Sequence, residues 1–117
     1  KKIPVTVNGG FQTRDFIFIK DVIEIIELSM LKAQTKKAFT ILNVGTGKSV
    51  NIDFLFKLIK KNIPNKSRLI RRKLDLFDPK KSVGKFSKLN KFFKDKKINY
   101  TKLEEGIIKT ISSQQKI

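Results

Sequence analysis

The residue of this chain with the clearest capacity for binding chemistry is Arg14, in the stretch NGGFQTRDFIFIKDV that spans residues 8–22. Its guanidinium group is planar and permanently charged, and this fork of N–H donors can bind two phosphate oxygens at once. Two glycines precede it, and glycine lets a backbone approach a ligand closely. These residues leave three interpretations open: a contact with nucleic acid, a contact with phosphate, or an ion pair with a neighbouring acid such as Asp15 or Asp21.

A second stretch that could bind phosphate is GTGKS at residues 45–49, which follows an apolar run and precedes a helical pattern. A phosphate-cradling loop has the form GxxxxGK[ST], because its first glycine begins the backbone wrap around the phosphates. That position is Leu42 in this chain. The stretch therefore predicts a glycine turn between a strand and a helix.

Phe16 and Phe18 resemble the aromatic pair of an RNA-stacking strand, because they alternate beside a basic residue. However, Asp15 and Ile17 occupy the positions that such a strand gives to small residues. The net charge of +17 also favours a polyanion partner, but 23 of the 27 cations are lysine, and arginine is the better reader of bases and phosphates. A basic RNA- or polyanion-binding module without catalytic activity remains the alternative function.

The composition excludes several chemistries. The 117 residues include no cysteine and no histidine, so disulfides and thiolate metal sites are excluded, and we expect no metal site. The length suits one domain with a modest core. No signal peptide or apolar run of membrane-spanning length is present, so we expect a cytoplasmic protein with no membrane partner.

Apolar periodicity and turn residues predict one α/β unit, residues 1–117, in which short strands are mixed with four helices. We expect strands at 4–8, 14–19, 38–44 and 67–74, with the first two forming an irregular hairpin and the third buried. We expect helices at 21–33, 52–62, 86–94 and 101–111, the first of them mostly buried. Asn51 should cap the second helix and Pro64 should end it, while Thr101 and Glu104 should form a capping box for the last.

Four short motifs occur in a fixed order along the chain. They comprise Gln12–Phe16 with Asp21 and Val22, Asn43 with Gly45–Gly47, Ser82 with Ser87 and Lys88, and Leu103–Ile107. This ordered set resembles the C-terminal part of the NAD-dependent epimerase/dehydratase family, the extended short-chain dehydrogenases that act on nucleotide-linked sugars. The resemblance implies an α/β fold that is the C-terminal substrate-binding portion of a Rossmann-type enzyme similar to UDP-glucose 4-epimerase.

The resemblance also implies a substrate site. In similar enzymes the arginine of the R-D-F strand contacts the diphosphate of a nucleotide-sugar, which assigns that role to Arg14. The strand before the glycine turn contacts base and ribose, partly through its main chain, which implicates Thr6, Val7 and Asn8. The second phosphate ligand of the family falls in the stretch Asp75–Asp78, which has no arginine. That ligand is therefore either lost or supplied by the nearby Arg72 or Lys73, and Arg72 is the candidate we carry forward.

Two catalytic parts of such enzymes are missing from the sequence. There is no G-x-x-G-x-x-G dinucleotide loop, and the only tyrosine, Tyr100, is followed four residues later by Glu104 where the family has lysine. The expectation is a C-terminal fragment without the dinucleotide-binding part, with no catalytic residue and no bound NAD, inactive by itself. The parent enzyme would bind NAD and a UDP-sugar and form a homo-oligomer, and nucleic acid is not expected as a partner.

Overall fold

The computed structural model describes residues 3–33, 39–63 and 66–114. Five short strands are present in this part of the chain: β1 (Val5–Asn8), β2 (Thr13–Asp15), β3 (Ser49–Asn51), β4 (Leu69–Arg72) and β5 (Lys81–Ser82). Four helices accompany them: α1 (Ile19–Ala33), α2 (Ile52–Asn62), α3 (Ser87–Phe92) and α4 (Leu103–Gln114). The predicted fold class, a mixed α/β unit of short strands and four helices, is confirmed.

The strands form two small sheets. In one, β1 pairs with β4 in parallel, and in the other β2 lies between antiparallel β3 and parallel β5. The predicted hairpin of the first two strands is therefore wrong. The amides of Val5 and Gly9 donate to the carbonyls of Arg68 and Arg72, so β1 pairs with β4. Strand β2 has no edge left for β1, because β3 and β5 occupy both of its edges.

Two predicted strands are corrected. The strand predicted at 14–19 ends at Asp15, because the chain enters α1 at Ile19. The buried strand predicted at 38–44 is absent over its described residues 39–44, where Phe39 is 90% exposed. Ala38 of that prediction, and the helix end predicted at Pro64, lie outside the described residues.

The core lies between α1 and α3. Its buried side chains are Ile25, Leu89 and Phe93, with Leu28 and Leu42 packed against them. The prediction that the first helix is mostly buried is wrong, because only Asp21 and Ile25 of α1 are buried. Its opposite face carries four exposed apolar side chains, the α1 stripe: Ile19, Ile23, Ile26 and Met30.

The unit is less compact than expected for a domain of its length. Its radius of gyration is 17.6 Å, against about 13 Å for a compact domain of this size. Helix α2 forms as predicted, because Asn51 Oδ1 accepts the Phe54 amide at 2.7 Å and so satisfies a free amide of the first turn. Within the described ranges, no helix has the length and apolar character needed to cross a membrane.

Candidate functional site

Arg14 occupies the middle of β2, the central strand of the three-stranded sheet. It lies opposite Val50 on one side and Ser82 on the other. Its Nη1 donates to the carbonyl of Thr13 at 2.9 Å, and its Nη2 donates to Asp78. Since the side chain is 23% exposed, the guanidinium is oriented by two contacts and still reaches solvent.

Arg14 does pair with an acid, as one of the three interpretations allowed, but the acid is Asp78 and not one of the two neighbours named there. Neither Asp15 nor Asp21 pairs with it, because each carboxylate binds a different segment. Asp21 accepts the amide of Thr101 at 2.8 Å and its hydroxyl at 2.7 Å. The ion pair with Asp78 joins residues 64 positions apart, so no local pattern in the sequence could reveal it.

Arg14 and Asp15 lie at an open cleft of about 610 Å³, which we call the arginine cleft. Its other lining residues come from two segments and one ring: 42–44, 82–84 and Phe86. The Phe86 ring fits because two glycines face it: a Cβ atom at Gly45 would lie 2.3 Å from the ring, and one at Gly84 would lie 2.7 Å from it. Glycine at both positions therefore shapes one wall of the cleft.

The glycine turn 45–47 is held by Asp15 rather than left open for a ligand. Asp15 Oδ1 accepts the amide of Thr46 at 3.1 Å and also its hydroxyl, while Oδ2 accepts the amide of Gly47 at 2.8 Å. These amides are the groups that a phosphate loop would turn toward its ligand. Because a carboxylate already accepts from them, the residues present do not fit a dinucleotide diphosphate. The stretch is a structural turn, but the strand predicted before it is absent, and the short strand β3 lies between the turn and α2.

The turn between β1 and β2 is fixed by a buried glutamine. Gln12 Oε1 accepts the Gly10 amide at 2.6 Å, and Gln12 Nε2 donates to the Asn8 carbonyl at 2.7 Å. Gly10 has a φ of 129°, and a Cβ atom there would lie 2.6 Å from Asp53 Oδ1. The turn therefore requires glycine, and Gln12 ties the end of β1 to the start of β2.

The other predicted site residues lie in the two-stranded sheet. Asn8 is opposite Arg72 in the parallel register, and both are exposed. Val7 is buried at 6% exposure, so its side chain belongs to the interior. Arg71 pairs with Asp53 at 2.8 Å, whereas none of the ion pairs in the described part of the chain involves Arg72. The structure thus brings Asn8 and Arg72 together and places Arg14 in the other sheet.

The aromatic pair predicted as an RNA-stacking strand does not form one. Phe16 and Phe18 follow the end of β2 and are both half-buried, so they present no flat strand face to a base. Phe18 lies beneath Gly106 of α4, where a Cβ atom would approach its ring to 3.4 Å. No group of three or more acidic residues in the described ranges could hold a metal ion.

Half of the chain is similar in sequence to a curated protein. No family model matches the chain. A curated protein of Methanocaldococcus jannaschii, described as "Putative UDP-glucose 4-epimerase", is 35% identical over 60 residues, which make up 51% of this chain. The chain spans only 18% of the length of that relative.

Solved structures match almost the whole chain. UDP-glucose 4-epimerase of Thermotoga maritima with UDP-glucose has a TM-score of 0.75 at 26% identity, over 97% of this chain and 35% of that one. UDP-N-acetylglucosamine 4-epimerase of Methanobrevibacter ruminantium, in complex with UDP-N-acetylmuramic acid, has a TM-score of 0.75 at 24% identity, over 97% and 36%. UDP-glucose 4-epimerase of Thermus thermophilus, in complex with NAD, has a TM-score of 0.74 at 20% identity, again over 97% and 36%.

The fold is therefore that of a portion of a Rossmann-type epimerase or dehydratase structure. The resemblance to the NAD-dependent epimerase/dehydratase family that the ordered motifs predicted is confirmed, and the partial coverage fits the predicted C-terminal portion. Because the chain spans little more than a third of these solved chains, it corresponds to one part of them only.

Proposed function

We propose that this chain is the nucleotide-sugar-binding part of an NAD-dependent epimerase or dehydratase, and that its ligand is a UDP-sugar. The observation that carries the proposal is the position of Arg14. Its guanidinium lies in the arginine cleft, is oriented by Thr13 and Asp78, and is still partly exposed to solvent. A planar fork held in this way can donate to two oxygens of a diphosphate.

The other residues of the proposed substrate site lie at or near the ends of β1 and β4. Asn8 is exposed and can reach base or ribose with its side chain, whereas the buried Val7 can offer only its main chain. Arg72 lies beside Asn8 and is free of described ion pairs, so it supplies a second cation for phosphate. Gln12 keeps the turn that follows Asn8 in one conformation.

The catalytic and cofactor-binding groups belong to the remainder of the parent enzyme. The turn amides of this chain are bonded to Asp15, and the chain has no glycine loop for a dinucleotide, so we assign it neither NAD nor a catalytic residue. The 117-residue chain should therefore bind the substrate diphosphate but catalyse nothing by itself. Homo-oligomer formation is the remaining part of the proposal.

The test is a calorimetric titration of the chain with UDP-glucose. Arg14→Ala should weaken binding by about 1.5–3 kcal/mol, the range for a hydrogen bond to a charged group. Arg14→Lys should recover only part of that loss, because an ammonium cannot reproduce the fork. Arg68→Ala is the matched control: it removes the same charge from an exposed arginine outside the arginine cleft and should leave the affinity nearly unchanged.

Two outcomes would contradict the proposal. If Arg14→Ala and Arg68→Ala weaken UDP-glucose binding equally, only the net charge matters and Arg14 is not part of a site. If the chain binds no UDP-glucose but binds a single-stranded RNA oligomer with a steep salt dependence, the polyanion-binding module is the better description.

A further inference from the structure

A second cleft, with different lining residues, is independent of the proposed function. It has a volume of about 370 Å³ and lies between the end of α3 and the segment that leads to α4. Its apolar part is formed by Phe93, which is buried at 4% exposure, and by Ile98. No residue lines both this cleft and the arginine cleft.

The polar lining of the cleft is rich in positive charge. Three lysines, Lys94, Lys96 and Lys97, line it together with the neutral residues Asn90 and Tyr100. We call this second cleft the lysine cleft. Three ammonium groups within four consecutive positions repel one another, so an anion between them would relieve an unfavourable arrangement.

The acids near the lysine cleft are engaged elsewhere. Asp95, which lies between the lysines in sequence, pairs with Lys32 of α1 at 3.5 Å. Asp21 of α1 accepts both the amide and the hydroxyl of Thr101. Asp15 binds the glycine turn 45–47. No carboxylate lines the cleft, so the lysines have no described counter-charge there.

Tyr100 adds a neutral donor to the same cleft. Burial raises the pKa of its phenol above the ordinary value of 10.0, and the carboxylates of Asp15 and Asp21 raise it further. The hydroxyl therefore keeps its proton throughout the neutral range and can donate to an anion. Asn90 offers an amide that can donate as well.

We propose that the lysine cleft binds a compact phosphate-rich anion of the polyphosphate class. Lysine suits such a ligand, because its ammonium is a compact point charge with three donors and needs no planar partner. A linear triphosphate carries enough negative charge to meet three ammonium groups at once. The volume of the cleft suits a small ligand rather than a folded macromolecule.

Single-stranded RNA fits the lysine cleft less well. Proteins that bind single strands offer exposed aromatic faces on which successive bases stack. Here the Phe93 ring is buried, and its edge contact with Phe92 occupies the neighbouring aromatic surface. Among the described lining residues, Tyr100 is then the one partly exposed aromatic ring. The cleft therefore offers three charges but no run of rings on which successive bases could stack, which favours phosphate over bases.

The experiment compares two triple variants that remove the same charge from different surfaces. Lys94→Gln, Lys96→Gln and Lys97→Gln together neutralise the lysine cleft, whereas Lys57→Gln, Lys60→Gln and Lys61→Gln neutralise α2. Each variant is titrated with inorganic tripolyphosphate and with a uridine oligomer by calorimetry. Urea unfolding of both variants shows whether each retains its fold.

The wild-type chain should bind about one equivalent of tripolyphosphate. The cleft variant should bind it at least about tenfold more weakly, and the α2 variant should change less than about twofold, since only the former loses charge-assisted bonds to the ligand. Equal weakening by the two variants, or no binding by the wild type, would overturn the proposal. Tighter binding of the uridine oligomer, abolished only in the cleft variant, would overturn it in favour of RNA.

Discussion

The guanidinium of Arg14 pairs with the carboxylate of Asp78, which lies 64 residues further along the chain in the loop between β4 and β5. Both side chains are partly exposed, at 23% and 38%. The pair has two opposing consequences for an anionic ligand. Asp78 orients the fork, but it also occupies one of its donors and places a negative charge beside the proposed position of the diphosphate.

Asp78→Asn should therefore strengthen binding of UDP-glucose. The amide can still accept from Arg14, while the repulsion between carboxylate and diphosphate disappears, which corresponds to about threefold to tenfold in affinity for charges a few ångströms apart in a solvated cleft. Stability should change by less than about 1 kcal/mol, as for other partly exposed ion pairs. Calorimetry and urea unfolding measure the two effects.

Asp75→Asn is the control for this variant. It removes the same charge from the same loop, but the Asp75 carboxylate accepts the Phe77 amide and forms none of the described ion pairs with Arg14. Equal strengthening by both variants would mean that Asp78 acts through net charge alone. Weaker binding in Asp78→Asn would mean that orientation of the fork outweighs repulsion.

Asp15→Ala should destabilise the chain by about 1–3 kcal/mol, because it leaves the Thr46 and Gly47 amides without their acceptor. The turn they belong to also positions Gly45 against Phe86, so the arginine cleft should change shape. Urea unfolding measures the loss, with Glu24→Ala, an exposed acid in the interior of α1, as the control. A loss no larger than that of the control would show that the turn is stable without Asp15.

Contacts between residues that are close in sequence could be predicted from the sequence, whereas contacts between distant segments could not. The Asn51 cap of α2 is local and was predicted, because donor and acceptor are three positions apart. The pairing of β1 with β4, and that of Arg14 with Asp78, join distant segments and were missed. Apolar spacing identified α1 but not what covers it, because periodicity gives the face of a helix and not its neighbour.

Tyr100 should make stability depend on pH in the alkaline range. Burial, with Asp15 and Asp21, raises the pKa of its phenol in the folded chain, so the unfolded chain loses the proton first. Stability from this residue is therefore complete below about pH 9 and falls as pH rises past 10 and through the raised pKa. Urea unfolding at about pH 8 and about pH 10.5, on either side of the ordinary phenol pKa, measures the decline.

Tyr100→Phe is the control, since it removes the ionisable phenol and leaves every other ionisable group in place. The variant should lose less stability than the wild type between the two pH values. Identical losses in the two proteins would show that Tyr100 does not contribute to the decline.

The chain should self-associate through the α1 stripe. The four exposed apolar side chains of the stripe lie on one face of a 15-residue helix. Exposed Glu24 and Glu27 lie beside them, so this face carries local negative charge in a chain with a net charge of +17, which lowers the repulsion between two copies there. Exposed apolar patches of this kind commonly form contacts with other protein molecules. Since like net charges oppose association, salt should strengthen it by screening, whereas salt weakens polyanion binding.

Sedimentation velocity at low and high salt tests this. Ile23→Ser with Ile26→Ser should abolish association, while Leu76→Ser, which removes an apolar side chain that is 97% exposed in the loop after β4, should leave it unchanged. Monomers of the wild type at high protein and salt concentrations would contradict the prediction. Association that survives in the double variant would show that the contact lies elsewhere, with Ile41 and Phe39 of the segment before the glycine turn as the next exposed apolar surface.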